Sequence, residues 1–91
     1  MQYVEAYLND VDSIMIQKEL PGIRFYKEEA EFDIEYIPNV IRKQKNRLGH
    51  EPLLLNVQTL NVKMEGQNIT FFATFLNGQQ KEHTMYVTYS K

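Results

Sequence analysis

The sequence predicts an α+β domain: an antiparallel sheet that includes a C-terminal three-stranded meander, with one or two short helices packed on one face. Three observations carry that expectation. Apolar and polar residues alternate through the last third, the period of a half-buried strand. Helix-start and helix-stop residues bracket two segments of the first half. With 91 residues, 43% of them hydrophobic, the chain can bury one modest core and not two, so residues 1–91 are read as a single domain.

In chain order, Val4, Ala6 and Leu8 alternate with Tyr3, Glu5 and Tyr7, which predicts a first strand. Asn9-Asp10 then offers an N-cap, with Val11, Ile14 and Met15 at helical spacing, so residues 10–20 are assigned to a helix. The competing reading is a hairpin in which Ile14–Leu20 and Ile23–Lys27 are strands around a type II turn at Pro21-Gly22. Ile23–Lys27 and Glu31–Ile37 read as two strands. The stretch Arg42–Glu51, RKQKNRLGHE, follows Asn39 as a cap, contains Gly49 as a stop signal and precedes Pro52. The residues between Asn39 and Gly49 are assigned to a second helix with a narrow stripe of Val40, Ile41 and Leu48, whose closing cations offset the negative end of the helix dipole.

The meander is defined by pairing arithmetic. A loop at Glu65–Asn68 sets Met64 opposite Ile69, Val62 opposite Phe71 and Leu60 opposite Ala73, so six apolar residues share one face. A two-residue turn at Asn77-Gly78 would mix faces further on. A three-residue loop, Asn77-Gly78-Gln79, is preferred because it pairs Ile69 with Val87 and Phe71 with Met85. Leu53, Leu55 and Val57 are out of phase with Leu60, Val62 and Met64, which calls for a bulge or bend near Gln58-Thr59.

Charge is unevenly distributed. Residues 1–37 hold three basic and nine acidic side chains, and residues 38–91 hold seven basic and three acidic. Two features stand out as candidate partner-binding residues. Glu29 precedes a row in which Glu31, Asp33 and Glu35 alternate with Phe32, Ile34 and Tyr36, placing the carboxylates about 6.6 Å apart on one side of a strand. Arg42, Lys43, Lys45 and Arg47 form the basic counterpart. The plain structural reading of the acidic row is a solvated edge strand whose charges prevent edge-to-edge pairing. The functional reading is an anionic ridge that docks on a basic surface.

Other chemistry is sparse. There is no cysteine, which removes disulfides, thiolate catalysis and Cys-based zinc motifs. His50 and His83 lie far apart in sequence, and neither His-x-x-x-His nor a nucleophile-elbow serine occurs. The four glycines are isolated turn residues rather than a phosphate-cradling loop. The expectation is therefore a non-enzymatic, protein-binding module without metal or cofactor, acting through charged surfaces. It is read as cytoplasmic, with no membrane segment, and as capable of pairing with itself through a sheet edge. Its size and character suggest an inhibitor carried by a phage or mobile element, of the anti-CRISPR kind. The alternative is a nucleic-acid binder using Arg42–Arg47, which would show steep salt dependence.

Overall fold

The computed structural model describes residues 8–90, and over them the chain is all sheet. Seven antiparallel strands follow one another in space as in sequence: β1 (Ser13–Ile16), β2 (Gly22–Lys27), β3 (Ala30–Ile37), β4 (Asn39–Lys45), β5 (Leu48–Glu65), β6 (Asn68–Phe75) and β7 (Gln80–Tyr86). No α-helix occurs among the described residues, so the α+β expectation is corrected in both places where a helix was assigned. The predicted strand at residues 3–8 lies almost wholly outside the described residues; Leu8 alone is described, and it is buried.

At residues 10–20 a hairpin forms instead of the helix, but with a shorter first strand, Ser13–Ile16, and a connection over residues 17–21 in place of a tight turn at Pro21-Gly22. Ile14 pairs with Phe25 and Ile16 with Ile23. β-Branched Ile14 and Ile16 suit a pleated strand, and only Val11 of the expected helical stripe is fully buried. Residues 39–48 form β4 and the turn into β5 for a related reason. Val40, Ile41 and Leu48 make too thin a stripe to bury a helix; as a strand, Ile41 becomes fully buried while Leu48 is left 74% exposed at the turn.

The long strand β5 organises the sheet. Its first half pairs with β4 and its second half with β6. β1 and β2 also touch β5 although neither is its neighbour in the sheet, so the sheet folds over itself. Ile23, Phe25, Ile34 and Ile41 from one half meet Val57, Leu60, Ile69, Phe71, Met85 and Val87 from the other. Beyond the strands, Val11 forms a parallel bridge with Tyr89, and the Val11 N–H donates to the Thr88 carbonyl at 2.9 Å. The two ends of the described chain thus close one side of the core.

The β5–β6 register is the one expected, with Met64 opposite Ile69 and Val62 opposite Phe71. The phase break is present and comes in two steps. A register shift lies between Val57 and Thr59, and Asn56 adopts a left-handed φ of 60°. Together they bring Leu54, Val57 and Leu60 toward the core and leave Leu55 57% exposed. The β6–β7 register differs from expectation by two residues: Ile69 faces Met85 and Phe71 faces His83. The Phe75 N–H donates to the Gln79 carbonyl, so the loop is Leu76-Asn77-Gly78. A two-residue slip preserves side-chain parity, and the core set is therefore unchanged.

Candidate functional site

The chemistry-bearing residues gather on the β2–β3–β4 face opposite the core. Alternation along β3 places Glu31, Asp33 and Glu35 in one row, as expected, but β3 is an inner strand rather than an edge. Cross-strand pairing sets Tyr26 beside Glu31, Arg24 beside Asp33 and Arg42 beside Glu35. Asp33 and Glu35 are buried, at 1% and 4% exposure. A buried carboxylate is tolerable only when paired and hydrogen-bonded, and each of these is.

Arg24 donates from Nε to Asp33 Oδ1 at 2.8 Å. Arg42 reaches a single oxygen of Glu35, Oε2, from Nε at 2.9 Å and from its terminal nitrogen at 2.7 Å. Gln17, itself buried, bridges the two acids: its Nε2 donates to Asp33 Oδ1 at 2.8 Å and to Glu35 Oε1 at 2.9 Å. Gln17 belongs to the β1–β2 connection, which crosses this face and brings no charge of its own at that point. The connection approaches closely because Gly22 has no side chain; a Cβ there would lie 2.2 Å from the Ile34 carbonyl oxygen. Next to it the Tyr36 N–H donates to the Pro21 carbonyl at 2.8 Å.

The row opens to solvent at Glu31. Its carboxylate accepts from Arg47 Nε at 2.9 Å and from the Tyr26 hydroxyl at 2.9 Å. The Arg47 bond first, and then the Tyr26 bond, hold the Glu31 carboxyl below the ordinary carboxylate range. The same contact raises the Tyr26 phenol above its ordinary value, because ionisation would give up the proton it donates to Glu31. The Glu31 backbone is fixed as well: its N–H donates to Asn46 Oδ1 at 2.9 Å, and its carbonyl accepts from the Asn46 N–H at 2.6 Å.

Two adjacent turns finish this end. Glu28-Glu29 joins Lys27 to Ala30, and Asn46-Arg47 joins Lys45 to Leu48. All four turn residues have left-handed φ values, 52° and 64° in the first turn and 53° and 63° in the second. Such two-residue turns match the strand twist but favour Asn and Gly. Of the four, only Asn46 is a favoured type.

The sequence-predicted residues therefore separate into three groups. Asp33, Glu35 and Arg42 belong to the buried ladder. Glu31 and Arg47 pair at the tip, and Glu29 lies in the neighbouring turn. Lys43 and Lys45 lie on the other side of β4, with their ammonium groups 5.8 Å and 5.9 Å from the Phe32 ring centroid; Lys43 also sits 3.7 Å from Glu51. The basic run thus occupies both faces of a hairpin rather than the outside of one helix. Sequence reasoning missed Arg24, Tyr26 and Gln17. Arg24 and Tyr26 could have been found from the β2–β3 hairpin register, whereas nothing local marks Gln17. Among the described residues, no group of three or more His, Asp and Glu side chains is arranged to hold a metal ion.

Comparison with known families matches residues 2–81 to the family described as "Putative Competence protein ComGF". Neither the curated proteins nor the solved structures contain a match to the chain. A competence family, in place of a phage-encoded inhibitor, corrects the expectation of a phage or mobile-element protein.

Proposed function

The chain belongs to the ComGF family, and from that premise we propose that it is a non-catalytic protein-binding module of a competence apparatus, working through the exposed tip of the β2–β3 and β4–β5 turns. The observation that carries this reading is the conformation of Glu28 and Glu29. Both are exposed, both are held at left-handed φ, and neither forms an ion pair among the described residues, whereas the neighbouring Glu31, Asp33 and Glu35 each have an arginine partner. Holding non-glycine residues in that region costs about 1–2 kcal/mol each, and backbone strain of this kind collects at working surfaces.

The buried ladder supplies rigidity beneath the tip. Leu48, 74% exposed, presents apolar surface at the end of the second turn, opposite Lys45. The fitting partner is a protein surface with a basic patch and a shallow apolar socket, a combination that supplies both steering and desolvated contact. The deciding variant is Glu28→Asn with Glu29→Gly, which removes both charges and installs the preferred turn residues. Pull-down of the other competence proteins by this variant should fall several-fold while its melting temperature rises. Undiminished capture by a correctly folded variant would remove the tip from consideration.

A further inference from the structure

The outer face of β5, β6 and β7 is a second surface, remote in chemistry from the charged ladder. We propose that this face binds a neutral, extended polysaccharide, with Phe72 as the stacking platform. The inference does not rest on the reading of the tip.

The geometry is that of a regular grid. Asn61, Phe72 and Glu82 lie side by side across the three strands, and Lys63, Thr70 and Thr84 form the next row. Thr59, Thr74 and Gln80 stand on one side of these rows, and Glu65, Asn68 and Tyr86 on the other. Four rows spaced by two residues span about 20 Å. Phe72 is 38% exposed and Tyr86 59% exposed, so both rings present area to solvent. Two shallow depressions, of about 560 and 380 Å3, meet at Phe72 and Glu82.

Charge selects the ligand class. Lys63 is engaged by Glu65 at 2.7 Å, and the charge of Glu82 is offset by Lys81, which lines the same depression. A phosphate chain needs cations to neutralise it, and the charges lining these depressions, Lys63 and Lys81 against Glu65 and Glu82, leave no positive excess to do so. The remaining groups are amides and hydroxyls, which both donate and accept. That is the complement of vicinal sugar hydroxyls. Phe72, between Asn61 and Glu82, supplies an apolar surface flanked by hydrogen-bonding groups, which matches a sugar ring with its C–H face down and its hydroxyls at the rim. Thr70 and Thr84, joined at 2.8 Å between hydroxyl oxygens, and Tyr86, whose hydroxyl donates to Gln67 at 2.8 Å, are already oriented and would lose little freedom on binding.

The test is an NMR titration of the isotopically labelled full chain with chitohexaose, a neutral β-1,4-linked N-acetylhexosamine chain. Parallel titrations use single-stranded oligo-dT and an oligolysine peptide. The expected result is saturable shifts centred on Asn61, Phe72 and Glu82, with a dissociation constant below about 1 mM. Phe72→Ala should weaken binding at least tenfold. Because that variant alters a sheet residue, Asn61→Ala and Glu82→Gln are tested beside it, and each should weaken binding without changing the melting temperature. Glu28→Asn with Glu29→Gly should leave glycan binding unchanged. No saturable shift with chitohexaose overturns the proposal. So does preferential binding of oligo-dT, which would make this a nucleic-acid face, or of oligolysine, which would make Glu82 a contact for a basic protein.

Discussion

At the scale of single residues, the most informative positions are those where the side chain disagrees with its backbone. Glu28 and Glu29 occupy a turn that Asn-Gly would form with less strain. Replacing them so should raise stability by about 1 kcal/mol or more, which for a domain of this size is about 4–8 °C in melting temperature. Thermal unfolding followed by circular dichroism measures it. Gly22 gives the opposite expectation. Its φ is 155°, and a methyl group there would come within 2.2 Å of β3 backbone, where no flexible group can move aside. Gly22→Ala should therefore cost about 3 kcal/mol or more, among the largest losses for a single substitution, as read from urea denaturation midpoints. Nothing in the Pro21-Gly22 dipeptide distinguishes this demand from that of an ordinary type II turn. A residue can be marked as a turn by its type, while the crowding that makes it irreplaceable comes from a strand distant in sequence.

At the scale of elements, the buried ladder behaves as one unit. Arg42→Ala would leave Glu35, at 4% exposure, without its cation in a dry site, and should destabilise by about 3–5 kcal/mol. Replacing both partners by apolar residues, Glu35→Leu with Arg42→Met, should recover most of that loss, since the pair carries its own desolvation cost. A double-mutant cycle in urea measures the difference. Much of this element-level structure was legible. The alternation of Glu31, Asp33 and Glu35, the β5–β6 register and the need for a bulge near Gln58 all follow from period-two burial. The helices were misread because cap-like residues also begin and end turns: Asn39 and Gly49 flank a strand and a bend as readily as a helix. The β6–β7 register escaped for a different reason. Parity fixes which face is buried, and the expected and the observed three-residue loops both satisfy it, so burial alone cannot separate registers two residues apart. Among the partners of the acidic row, Arg24 follows from the β2–β3 hairpin register, whereas Gln17 reaches both acids over a longer connection that no local pattern marks.

At the scale of the whole molecule, closure depends on contacts that local patterns do not encode. The Asp10 N–H donates to Thr88 Oγ1 across 78 residues, and the core is shared between two halves of one folded sheet. A fold held by such distant pairings is exposed as a unit to any condition that loosens the tip or the ladder, and pH is the simplest such condition. Glu31 has a folded pKa below its ordinary value, held there first by Arg47 and then by Tyr26. Its contribution to stability is therefore complete above the ordinary carboxylate value and is lost as pH falls through the depressed folded value. Tyr26 has a raised folded pKa, caused first by its hydrogen bond to Glu31. Its contribution is complete below the ordinary phenol value and is lost as pH rises through the raised one. The Tyr26–Glu31 contact thus contributes to both shoulders of the stability profile, with Arg47 the larger partner on the acid side. Melting temperatures measured against pH for the native chain, Glu31→Gln and Tyr26→Phe should separate them. Glu31→Gln should bring the native and variant curves together in acid and keep them apart near neutrality. Tyr26→Phe should flatten the alkaline shoulder, and salt should shrink both differences because the contact is solvent-accessible. Parallel acid curves for the native chain and Glu31→Gln would place the acid sensitivity elsewhere in the molecule.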